Sequence, residues 1–517
     1  MSAGASEPEK YSIDEMMDRL KTSSSGATGD GELVTRSDGS QVVRVRKRKR
    51  RTTQPHKEER IRSRKSRIVQ FSAAFVLIVA SVLAVGGAII YANSSSFRDS
   101  LVNKIALSSG STPELEQFRM NPQSANAGNL SFAWPAGNVL KSLSVHMLNA
   151  EVSPSSFFGK SFQGEEVTVD QGYLALQIPR PGEPRTVNPM PEGDLPIQFN
   201  RYRIPKFEVS LGDSITGPIR LLRSEASLSS KTISGLPQMR LYRGDFLISG
   251  WPNLRMDRAL MEFRGSETDI ISMRLLHEAG GPENDRGAAE LAGTISPYQP
   301  EHASTLSVKL DAFLLSGVVG PSLGKLFSGR VDSTSTPRSN YLTFLPTATP
   351  SSVLDITFSA TPSSNIEIQG FPFLPELALI LGDDVWFKHP VFESDAGGVI
   401  HRENGIVTLK NLHFESKGRM AIRGSISMAP TQALSGNLNI GIADAMVTAT
   451  SGSTGAKFKA MFGPSDGGFR WITLKIGGPA TKPTDNFKEL FTAAVAAQAN
   501  PSELDNKSTF EELTRPK

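Results

Sequence analysis

Cysteine is absent from the chain. A disulfide framework and a thiolate metal site are therefore both excluded, and any folded region must hold itself by burial and strand pairing. Long apolar runs are scarce too: one uncharged stretch stands out, so the chain is not a polytopic channel. There is no phosphate loop, since Gly320–Lys325 lacks the length and the Ser/Thr of a Walker A motif. No internal repeat of fixed period is found. The seven histidines include no short-spaced ligand pair, and neither a cofactor nor a metal is expected.

The apolar stretch is residues 68–92, IVQFSAAFVLIVASVLAVGGAIIYA. At ~1.5 Å per residue it spans a ~30 Å hydrocarbon core with room for tilt. It is too long, and begins too far into the chain, for a cleavable signal peptide. A basic block abuts its N-terminal end. Residues 44–67 hold 13 Lys+Arg against two acids, a net +11, while the whole chain is +4, leaving −7 for everything else. By the positive-inside rule the N-terminus is cytoplasmic. The block's charges include Arg44, Arg46, Lys47, Arg48, Lys49, Arg50, Arg51, Arg64, Lys65 and Arg67. It has no aromatic to stack on bases, so anionic lipid headgroups are the expected partner and nucleic acid is not.

Ahead of the block, residues 1–67 read as a cytoplasmic disordered tail, with 22–43 rich in Ser, Thr, Gly and Asp. Ser12-Ile13-Asp14-Glu15 fits a capping box for a short helix over 12–21. That helix either docks on a cytoplasmic partner or forms only transiently.

Beyond the span the periodicity is mostly two. Met420, Ile422, Ile426 and Met428 alternate with Arg419, Arg423, Ser425 and Ser427; Leu438, Ile440 and Ile442 alternate with Asn437, Asn439 and Gly441. Ile472, Leu474 and Ile476 follow less strictly. Such runs are strands of an antiparallel sheet with one greasy and one wet face. Asn404-Gly405 signals a hairpin. Weaker alternation appears at 165–176, 206–211, 217–228, 245–248, 305–310, 353–358 and 366–368. The expected division is a first β-rich region over 93–327, a turn-rich connector over 328–352, and a C-terminal β module over 353–499. A helix over 487–499 closes that module before a polar tail at 500–517. Residues 312–327 have helix-like apolar spacing weakened by Gly317, Gly320 and Pro321.

Several motifs suggest catalysis and are incomplete. Gly212-Asp213-Ser214-Ile215-Thr216 resembles the nucleophile block of SGNH/GDSL esterases, but no His has an Asp three residues before it. A nucleophile without a base is inert, so an anchored esterase is a remote alternative and the chain is read as not an enzyme. The Gly-x-Ser-x-Gly patterns at 320–324 and 463–467 lack recognisable partners. His389, His401 and His413 are spaced by twelve, with no carboxylate cluster beside them.

The stretch from Pro390 to Pro483 resembles the C-terminal module of the AsmA-like family. The resemblance rests on a hairpin through Asn404-Gly405-Ile406-Val407, on 409–416 (LKNLHFES) and on the alternating strand to Met428. It continues through 434–440 (LSGNLNI) and 471–478 (WITLKIGG), leading into Pro479 and Pro483. It implies a mainly β fold: one N-terminal transmembrane helix, then an elongated, curled antiparallel sheet domain with a few short helices. It also implies a bacterial inner-membrane anchor, a periplasmic bulk, and a role in envelope assembly or in moving phospholipids. The candidate groove lining is Met420, Ile422, Ile426, Met428, Leu438, Ile440 and Ile442. At ~0.8 kcal/mol per buried CH₂ such a face could hold acyl chains with no catalytic residue. The same residues could equally fill a dry core, and a non-catalytic scaffold for protein partners is the alternative function.

Overall fold

Strict alternation is only part of what the chain does. The structure, a computed structural model, describes residues 32–44 (without 36 and 40), 75–153 (without 85), 156, 162–178, 197–277 (without 213 and 231), 287–334 (without 298 and 300), 339–360, 365–393 (without 384) and 396–499. Contacts divide it into two units, Met1–Leu83 and Ala84–Lys517. The fold is mainly β, with one long apolar helix, a large sheet that is almost wholly antiparallel, and a few short helices.

In the first unit, Glu32–Thr35 and Gln41–Arg44 form a hairpin, with Leu33 opposite Val43 and Val34 opposite Val42. This corrects the expectation of disorder for the described part of 32–43; residues 22–31 lie outside the described residues. Two short β-branched runs flank Asp38-Gly39, and Gly39 takes a φ of 83° that suits the turn. A lone two-stranded hairpin is marginal in water.

The apolar helix is described over Phe75–Ala92, with a mean hydropathy of 2.5. It is long and apolar enough to cross a membrane. Phe75, Leu77, Leu83 and Ile90 are exposed along it, as side chains that face lipid rather than protein would be. Its last turn is stapled to the sheet. Asn93 Nδ2 donates to Ile89 O and to Met120 O, and the Met120 N–H donates back to Asn93 Oδ1, each at 2.8 Å. Ala92 and Met120 are both buried in one apolar cluster. The helix Ser95–Ser109 follows at once, capped by the Ser94 hydroxyl accepting from the Phe97 N–H. Net hydrogen bonds are worth ~1 kcal/mol each. Asn93→Ala should therefore speed hydrogen exchange of the Met120 amide by about tenfold. An unchanged rate would show that the staple contributes nothing.

From Thr112 to Asp485 the ladders follow one another in chain order. They close on themselves only locally, where one strand position is split in two. Thus Phe162–Thr168 and Gln171–Leu176 both lie between Leu140–Val152 and Ile197–Leu211. Among the described residues no ladder joins the first strand to the last. Two pairings are parallel: Ile197–Leu211 runs beside both Phe162–Thr168 and Gln171–Leu176 in the same direction. A parallel neighbour needs a crossover, and the proline-rich residues 177–196 supply its length. Residues 328–352 are not a connector. Arg330–Ser333 and Tyr341–Phe344 are sheet strands that share one position, between residues 304–314 and Val353–Ala360.

The C-terminal strands carry a helical cover. Helix Phe373–Leu381 buries Phe373, Leu374, Leu377 and Ala378, and Asp444–Ala449 and Gly452–Met461 add Val447 and Phe458. Helix Phe487–Ala499 has the limits read from sequence. Asp485 ties two of these together: its Oδ2 accepts from Phe373 N at 2.8 Å and its Oδ1 from Phe487 N at 3.0 Å. Burial pushes its carboxyl above the usual 3.8. The folded state then holds this proton more tightly than the unfolded chain does. Its contribution to stability is largest below 3.8 and falls as pH rises through the raised value. Asp485→Asn should remove that fall, seen as a wild-type-minus-variant stability difference that declines as pH rises through the window. Parallel curves would refute it.

A crease crosses the N-terminal part of the sheet. Each strand there has two consecutive residues facing outward, flanked by inward ones: His146-Met147, Asp170-Gln171, Pro205-Lys206, Leu222-Arg223, Tyr242-Arg243, Asp257-Arg258 and Ile271-Ser272. Register shifts accompany them at 221/224, 256/258 and 270/273, and Met147, Arg223 and Arg243 have positive φ. The ladders place these doublets side by side. Bulges bend strands and add twist. In each doublet the extra residue lies on the polar side, so the bends fall along one line across the strands.

Candidate functional site

Paired residues in a ladder share a face, so the registers trace which side chains line up across the sheet. One file runs Met120, Ala125, Ala150, Val167, Tyr202, Leu228, Met239, Met261, Ile270, Gly293, Leu306, Leu342, Leu354. It begins at the residue stapled to the apolar helix. A second file runs Pro113, Phe132, Leu143, Leu174, Val209, Leu221, Phe246, Leu254. Tyr202 is the only side chain with a hydroxyl in either file, and burial raises its pKa above 10.0.

Cover is uneven along this face. Leu143, Leu174, Val209, Phe246, Leu228, Met239 and Met261 are only half-buried. The main helical cover lies at the C-terminal end. There, Met420, Ile426, Leu438, Ile440 and Ile442 are 0% exposed and Ile422 1%. Met428 is half-buried against the same cluster. The seven residues proposed from sequence as a groove lining are thus brought together on one face, as alternation required, but six of them form closed core and only Met428 is half-open. The physical reason is the helical layer seated over them, whose apolar residues share their cluster.

The half-open face ends at a seam. Strand Gly397–Glu403 sends Arg402 inward, opposite Leu354. Its guanidinium stacks 4.2 Å over the Trp251 ring and donates to Gly250 O. Trp251 Nε1 donates to Thr349 O at 3.2 Å, and the Thr349 hydroxyl donates to Ser249 O at 3.4 Å. The turn at 249–251 is thereby tied to segments far from it in ladder order. Arg402 is 6% exposed and has no ion-pair partner among the described residues. Burial brings its pKa down to about 10.

The remaining sequence candidates are dispersed. Ser214 lies in the exposed turn before Ile219–Ser229, and among the described residues nothing hydrogen bonds to its hydroxyl; Asp213 is outside the described residues. The pattern at 320–324 is the single helical turn Pro321–Gly324 with Gly320 as its cap, and 463–467 reaches the exposed Ser465–Asp466 strand. The three histidines have separate partners: His389 with Glu367 at 3.2 Å, His401 with Asp355 at 2.8 Å, His413 with Asn411 O at 3.3 Å. No group of three or more His, Cys, Asp or Glu close enough for a metal occurs among the described residues. Arg44 ends the hairpin opposite Glu32. Arg46, Lys47, Arg48, Lys49, Arg50, Arg51, Arg64, Lys65, Arg67 and the segment 12–21 lie outside the described residues, as do 68–74 and 500–517.

Taken together, these features define a chain with one membrane-length helix and a creased sheet that is apolar on one side. No protein-family model and no curated protein matches it.

Proposed function

We propose that this is a non-enzymatic lipid-handling protein of AsmA-like type, anchored in a bacterial inner membrane with its bulk in the periplasm. The reading also proposes that the basic tail faces the cytoplasm and rests on anionic headgroups. One observation carries it: an apolar file that starts at Met120, beside the end of the apolar helix, and continues from strand to strand. Ladder partners are ~4.8 Å apart, so three to four steps match one leaflet's ~15 Å of chain. Each CH₂ withdrawn from water contributes ~0.8 kcal/mol. The half-buried stretch from Leu143 to Met261 is where a chain would rest, rather than the covered residues 420–442.

The test is lipid carried by the full chain. After exchange into a lipid-free detergent, native mass spectrometry should show retained phospholipid. Val209→Asp, at a half-buried point of the second file, should remove that lipid while leaving the circular dichroism spectrum unchanged. If the wild-type chain carries none and transfers none between liposomes, the scaffold reading replaces this one.

A further inference from the structure

We infer that the polar, outward face of the sheet carries a binding site for an anionic saccharide, a sugar bearing a phosphate or a carboxylate. This site is separate from the apolar face on the other side. It is a basin of about 760 Å³, and the registers lay out its floor and walls.

One row across the strands is Glu166, Arg201, Ser229, Gln238; the next is Arg203, Ser227, Arg240, Leu260; a third sets Glu225 beside Tyr242. Ser227 lies between Arg203 and Arg240, and Ser229 between Arg201 and Gln238. Small side chains between long ones make a hollow. Arg201 and Arg240 stand on strands two ladder positions apart, roughly 10 Å, a gap that admits one sugar ring.

The charges are not used up within the basin. Arg203 is paired with Glu225 at 3.2 Å. Among the described residues, Arg201 and Arg240 have no hydrogen-bond or ion-pair partner, and neither have the hydroxyls of Ser227 and Ser229. Guanidinium forks match phosphate and carboxylate oxygens two at a time. Ser227, Ser229 and Thr232 can bond sugar hydroxyls, Glu166 can accept from them, and Tyr242, 40% exposed, offers a ring edge. A bare anion would use the arginines alone. A neutral sugar would leave both of them unanswered. The mixed lining fits a ligand with both parts.

The experiment uses the full chain in detergent, with glucose 6-phosphate and glucose as probes in saturation-transfer NMR, and with inorganic phosphate and glucose 6-phosphate followed by the broadening of their phosphorus-31 resonances. Glucose 6-phosphate should bind, and more tightly than either glucose or phosphate. Arg201→Gln and Arg240→Gln should each weaken it about tenfold. Ser227→Leu, which fills the floor, should abolish sugar-phosphate binding yet keep the weak phosphate signal. All three changes lie on the solvent face, where folding tolerates substitution, and none should alter retained lipid. Absence of binding, equal affinity for phosphate and glucose 6-phosphate, or arginine variants that bind like wild type would each overturn the assignment.

Discussion

Trp251→Ala is expected to destabilise the sheet domain by about 3 kcal/mol, while Arg402→Met costs less than about 1 kcal/mol. The asymmetry follows from the seam. Removing the indole leaves a cavity and strips a buried guanidinium of its stacking partner, and a desolvated cation–π contact alone is worth ~2 kcal/mol. Replacing Arg402 with methionine loses that contact and a bond to Gly250 O, but it also ends the cost of burying a charge with no counter-ion. In the double variant the two losses should not add, because each change removes the same contact. Urea unfolding of the full chain in detergent, followed by circular dichroism, measures all three. If Arg402→Met proves as costly as Trp251→Ala, the guanidinium itself holds the seam. A pH arm gives the same information. Burial lowers the Arg402 pKa to about 10, well below that of a free guanidinium, so between the two values the unfolded chain binds the proton more tightly. Wild-type stability should rise with pH across that window, and the methionine variant should lack the rise.

Ile440→Asp is expected to prevent folding of the C-terminal strands, at a cost above ~4 kcal/mol. Ile440 is 0% exposed, between Ile422 and Ile472 on the neighbouring strands, so a carboxylate there would find neither water nor partner. Val209→Asp, half-open to solvent, should fold. Limited proteolysis of the two variants side by side makes the comparison. Equal resistance would mean that the C-terminal face is as open as the N-terminal one.

Legibility followed local chemistry. The Asn404-Gly405 turn was readable because only such residues accept positive φ at both central positions, and here they have 50° and 74°. The strands Met420–Met428 and Leu434–Ala443 were readable because nothing interrupts their phase. The apolar helix and the closing helix Phe487–Ala499 announced themselves by length and composition. What alternation could not reveal was which apolar face is covered. That depends on helix Phe373–Leu381 and its neighbours, which are brought over it by the fold and not by spacing. The N-terminal strands looked weak for a different reason. Each outward doublet shifts the alternation by one residue, so Val145 and Leu148, or Leu241 and Gly244, face one way with two residues between them. The usable signal was the doublet recurring from strand to strand. The seam joins residues about 100 to 150 positions apart, beyond any local pattern.

The crease also bears on solubility. A broad sheet with one greasy face is close to the geometry of stacked cross-β layers, in which two flat faces mate over their whole area. A bent face cannot lie flush on a copy of itself. The doublets therefore act against self-association, and the two apolar files they cross carry no charged residue themselves.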